Sequence, residues 1–147
     1  MSPTDRIEKQ IVLRAPRSRV WRALTNHEEF ASWFRVKLDG AFAVGQIVKA
    51  QSTYPGQEEA KWEMRIEVME PEQLFAFTWP AGDAEAADRS LWNRVEFRLE
   101  EVPEGTRLTL VESGFDRLPP ERRAEAWRLN DGGWTEQTQN IRRHVEV

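Results

Sequence analysis

Residues 61–79, KWEMRIEVMEPEQLFAFTW, constrain the fold of this chain more than any other stretch. Trp62, Met64, Ile66 and Val68 fall on one side of an extended backbone, and Glu63, Arg65 and Glu67 on the other, because successive side chains of a strand point to opposite faces. EPEQ supplies a turn, and LFAFTW returns with Phe75, Phe77 and Trp79 on one face. Two strands joined by so short a turn pair antiparallel, and one face of the pair is apolar enough to need a cover.

The flanking sequence extends this sheet. RIEKQIVLRA alternates Ile7, Lys9, Ile11 and Leu13 against Glu8, Gln10, Val12 and Arg14. QIVKAQS is a short strand with the small residues Val48, Ala50 and Ser52 on one face. LWNRVEFRLEE places Leu91, Asn93, Val95, Phe97 and Leu99 together, and VPEGT turns it into RLTLVES. Between the first two strands, Pro16 opens a helix bearing Val20, Trp21 and Leu24. Asn26 is placed to cap a second short helix, HEEFASWF, whose first turn is acidic. PAGDAEAADRS reads as a polar loop, long for a hairpin.

Only the C-terminal segment is long enough to cover the apolar face. Beginning at Pro119 and Pro120, it carries a stripe of Ala124, Trp127, Trp134, Thr138, Ile141 and Val145. The expected architecture is α+β: a curved antiparallel sheet around one long helix, with two short helices closing an end. Gly132 and Gly133 interrupt that helix pattern, each at a cost of about 1 kcal/mol. Either they let the helix bend around a cavity or let the sheet approach closely, or Asp131 caps a new helix there.

The 147 residues suit one domain, 1–147. Without cysteine, thiol catalysis, disulfides and cysteine zinc sites are excluded. A net charge of −4 gives no case for nucleic acid or an anionic membrane. No apolar run reaches the roughly 18 residues of a membrane span, and MSPTDRIEKQ lacks the apolar core of a signal peptide, so a cytoplasmic location is expected. The two histidines, His27 and His144, stand far apart, and HEEFA lacks the second histidine of a zinc-protease motif. No catalytic constellation, metal site or cofactor fingerprint emerges.

What remains is polar residues on apolar faces. Asn93 lies among Leu91, Val95, Phe97 and Leu99, Glu112 follows Leu108 and Leu110, and Thr138 sits in the helix stripe. Each is either a frayed end satisfied by backbone or water, or part of a partly polar pocket between sheet and helix. A buried Glu112 would have a raised pKa and be a candidate acid or base. With seven Trp and seven Phe, the aromatic residues are either core or the wall of a small-molecule cavity. The candidate lining is Trp62, Met64, Phe75, Phe77, Trp79, Asn93, Val95, Phe97, Leu110, Glu112, Trp127, Trp134, Thr138 and Ile141. Trp21, Trp33 and Phe34 are either a contact patch or the closure of the barrel end.

Four segments, in order, resemble the activator of heat-shock-protein-90 ATPase homologue family. They are VLRAPRSRVWRALTNHEEFASWF, KWEMRIEVMEPEQLFAFTW, VEFRLEEVPEGTRLTLVESGF and GGWTEQTQNI. The family belongs to the START-like, helix-grip superfamily. The resemblance implies a seven-stranded antiparallel sheet around a long C-terminal helix, enclosing a hydrophobic cavity for lipid-like or aromatic molecules. Thr138 and Ile141 stand where the family usually has leucines, so Thr138 would add a hydroxyl to the cavity wall. Eukaryotic activators carry an additional N-terminal domain that engages the chaperone. This sequence opens at the first strand, which weighs against chaperone stimulation. The leading expectation is a binding protein for a small hydrophobic or aromatic ligand, as monomer or homodimer, without cofactor. A protein-interaction role, including chaperone regulation, comes second, and a cyclase- or hydrolase-like enzyme using Glu112 third.

Overall fold

A computed structural model describes residues 6–80 and 92–146. The chain runs β1 (Arg6–Leu13), α1 (Arg17–Thr25), α2 (His27–Phe34), β2 (Val36–Leu38), β3 (Ile47–Ser52), β4 (Lys61–Glu70), β5 (Leu74–Pro80), β6 (Trp92–Val102), β7 (Gly105–Ser113) and α3 (Pro120–Val145), with a 3-10 turn at Phe115–Arg117 before α3. The strands form one antiparallel sheet in the order β1-β7-β6-β5-β4-β3-β2. The acidic loop and Leu91 of the sequence reading lie outside the described residues, apart from Pro80, which ends β5.

Local chemistry sets most boundaries. Pro16 precedes α1, and Asn26 caps α2 by accepting the Glu29 N–H at 3.0 Å. β2, a strand of three residues that alternation did not reveal, begins where Arg35 takes a left-handed φ of 64° and ends α2. In β4 the alternation holds as far as Ile66. A bulge between Ile66 and Val68 then shifts the register, so Ile66 faces Phe77, Val68 faces Ala76 and Met69 faces Phe75. Val68 is thereby displaced from the inner face, and Met69 packs on the core in its place.

α3 runs unbroken through Gly132 and Gly133, so no new helix starts at Asp131. Its buried side differs from the expected stripe. Ala124 is exposed, whereas Ala126, Trp134, Gln137, Thr138, Asn140, Ile141 and Val145 are buried. The helix is tied along the outer edge of β1. Trp127 Nε1 donates to the Arg6 carbonyl (2.9 Å), Arg142 to the Val12 carbonyl (3.3 Å), and Glu146 accepts the Arg14 N–H (2.8 Å). Lys9 pairs with Asp131 at 2.8 Å.

Trp33 and Phe34 are buried, and Trp33 Nε1 donates to the Ala23 carbonyl at 2.8 Å. Trp21 sets its edge against Phe75. Trp33 and Phe34 help close the end of the sheet, and Trp21 stays half-buried beside them. Among the described residues, no helix is long and apolar enough to cross a membrane.

Candidate functional site

Because α3 is fastened toward β1, space opens on its other side. A cleft of about 710 Å³ lies between the end of α2, the β3–β4 loop, the end of β5 and the middle of α3. Phe34, Trp62 and Trp79 supply aromatic walls, with Leu129 at the helix rim. Arg35, Tyr54, Lys61, Glu136 and Gln137 supply polar groups. Gly132 and Gly133 border it, and a Cβ built on either would meet nothing within 4 Å. The loss of side chains at these two positions is therefore part of the cleft's volume.

Glu112 lies behind this wall. Its place on β7, opposite Val95 of β6 and Ile7 of β1, turns the side chain inward with no exposed surface. Four N–H donors converge on the carboxylate. Oε1 accepts from Trp134 Nε1 (2.8 Å) and Asn130 Nδ2 (3.1 Å). Oε2 accepts from Trp79 Nε1 (2.8 Å), Asn93 Nδ2 (3.0 Å) and Asn130 Nδ2 (3.0 Å). Burial pushes the carboxyl above its ordinary value of 4.5, while the bonds from Asn93, Trp134, Trp79 and Asn130 pull it back without reversing the shift. Gly114, at the end of β7, makes room for Asn93: a Cβ there would stand 2.6 Å from Asn93 Oδ1.

The candidate lining residues divide into groups. Trp62 and Trp79 border the cleft. Trp79, Asn93 and Trp134 assemble around Glu112. Met64, Phe75, Phe77, Val95, Phe97, Leu110 and Ile141 are at most 2% exposed and belong to the packed core. There the rings fill the space between sheet and helix, with Phe75 stacked on Phe97 at 6.1 Å and Trp134 set edge-on to Phe97 at 5.8 Å. Trp127 sits on the edge of β1. The Thr138 hydroxyl donates to the Thr135 carbonyl (2.9 Å), so it is engaged by its own helix.

Sequence reasoning missed Asn130, Gln137, Asn140 and Tyr54. Asn130 precedes Trp134 by four residues, the spacing that puts two side chains on one helix face. Gln137 Nε2 donates to the carbonyl of Phe34, the last residue of α2, at 2.9 Å. Asn140 Nδ2 donates to the Tyr54 hydroxyl (2.9 Å) and to Gln137 Oε1 (3.0 Å), while Arg35 lies 5.2 Å from the centre of the Tyr54 ring. This network holds the loop that forms one side of the cleft. Among the described residues, no cluster of His, Asp or Glu could hold a metal.

A seven-stranded antiparallel sheet closed by α1 and α2 around a long terminal helix defines the helix-grip class, START-like in architecture. Within that class the chain belongs to the activator of Hsp90 ATPase homolog 1-like family, which matches residues 14–146. Similar solved structures include protein MLL2253 from Mesorhizobium loti, at 23% identity and TM-score 0.78 over 95% of this chain and 96% of that one. Protein BH1534 from Bacillus halodurans is 26% identical, with TM-score 0.72 and 96% of each chain covered. The Aha1 dimer from Colwellia psychrerythraea is 17% identical, with TM-score 0.75 over 97% of this chain and 96% of that one. No curated protein matches the sequence.

Proposed function

We propose that this protein binds a small hydrophobic or aromatic molecule in the cleft beside α3. The reading rests on the open volume above Gly132 and Gly133, bounded by Phe34, Trp62 and Trp79. Its size falls in the range of small-molecule sites, and the aromatic walls suit a planar or lipid-like body that the polar lining residues would orient.

The test is titration of tryptophan fluorescence with flavonoid-like compounds, sterols and fatty acids, on the wild type and on Gly133→Leu. Saturable binding by the wild type that is weakened at least about tenfold in the variant supports the reading. A variant that binds as well as the wild type overturns the assignment of the site.

The family match favours a second reading, regulation of a heat-shock-protein-90 ATPase by contact. Stimulation of the cognate chaperone at saturating protein would support it, and unchanged ATP hydrolysis would end it.

A further inference from the structure

A carboxylate with no exposed surface and only uncharged partners is costly for a core to hold. Among the described residues, Glu112 is met by two indoles and two carboxamides and by no cation. Three of these donors are fixed. Trp79 and Asn93 sit in paired strands, and Trp134 is wedged against Phe34, Trp79 and Phe97. Asn130 differs. It stands on α3, is only half-buried, borders the cleft, and divides one amide between both carboxylate oxygens. Rotation of this one side chain would leave both oxygens short of a donor on the cleft side.

We infer that the cleft takes a hydrophobic molecule ending in a protonated amine, whose N–H groups replace Asn130 on Glu112 while its apolar body lies against Phe34, Trp62 and Trp79. The inference rests on the ligand-binding reading and names the ligand's chemical class. An ammonium brings three donors and the positive charge that none of Glu112's described partners supplies. A hydroxyl brings one donor and no charge, and a carboxylate head would be repelled.

Three near-isosteric probes test this by calorimetric titration: 1-naphthylmethylamine, 1-naphthylmethanol and 1-ethylnaphthalene. The amine is expected to bind at least about tenfold more tightly than either neutral probe, the scale of a hydrogen bond to a charged group. Asn130→Ala, which removes the competing donor, should tighten the amine and leave the ethyl compound unchanged. Glu112→Gln should bring the amine to the level of the ethyl compound. If that variant does not fold, the wild-type series and Asn130→Ala still decide. Equal affinities for the three probes, or an alcohol as tight as the amine, overturn the amine assignment while leaving hydrophobic binding in place. Failure of all three to bind overturns the amine assignment, and the ligand-binding reading falls with it only if flavonoid-like compounds, sterols and fatty acids also fail to bind.

Discussion

Glu112 shows how position turns an ordinary side chain into an unusual one. The same carboxyl on the outer face of β7 would be hydrated. Turned inward, its charged form is favoured only by bonds from four uncharged side chains, and burial outweighs them, so the carboxyl is raised. A carboxyl raised in this way contributes its full stability below the unfolded value of 4.5, and that contribution is lost as pH rises through the folded value. Carbon-13 NMR of the Glu112 carboxyl should therefore give a midpoint above 4.5. The stability of the wild type relative to Glu112→Gln should fall as pH rises from 4.5 toward that midpoint and level off above it. Gln also places an NH₂ among indole and amide donors, so the variant should lose about 1–3 kcal/mol in denaturant unfolding at low pH. The inward face of Glu112 could be read from its parity with Leu108 and Leu110. Asn130 could not be singled out, because a polar residue on a helix normally faces water.

At the scale of the element, α3 carries two glycines in its interior with open space beside both. Nothing near them opposes a methyl group, so Gly133→Ala should stabilise the protein by about 1 kcal/mol, seen as a rise of roughly 2–4 °C in thermal unfolding. A loss of stability would mean that the helix needs the glycine for its shape. The strands were legible from alternation, except where a neighbour dictates the outcome. Val68 leaves the inner face because of a bulge set by pairing with β5, and no pattern within β4 announces it. β2 is too short for alternation to register. Ala124 and Trp127 keep the heptad spacing of the buried stripe. Yet the N-terminal part of α3 passes over the edge of β1, so the burial there shifts to Ala126.

Across the whole molecule, three helices meet at Glu29. It bonds Arg19 (2.6 Å) and Arg22 (2.7 Å) of α1, and its Oε1 lies 2.8 Å from His144 Nε2 of α3. Burial alone would raise the Glu29 carboxyl, but the bonds from His144, Arg19 and Arg22 bring it down to about 2. Its stabilisation is then complete above 4.5 and fades as pH falls toward 2. Glu29→Ala should lose about 1–2 kcal/mol at neutral pH, after allowance for solvent screening, and much less near pH 2. Unfolding curves across that range would check it, and a loss independent of pH would assign the residue a packing role alone. The grip of sheet on helix followed from the order of the strands. The cleft did not, because its position depends on α3 lying toward β1 and on Tyr54 being held by Asn140, both long-range facts.

The fastening of α3 along β1 has a further consequence. Carbonyls at the end of an antiparallel sheet are a template on which a foreign strand can grow. Here Trp127 and Arg142 already occupy those of Arg6 and Val12. The opposite end of the sheet is β2, only three residues long. Both margins of the sheet thus offer little free backbone for strand-by-strand growth.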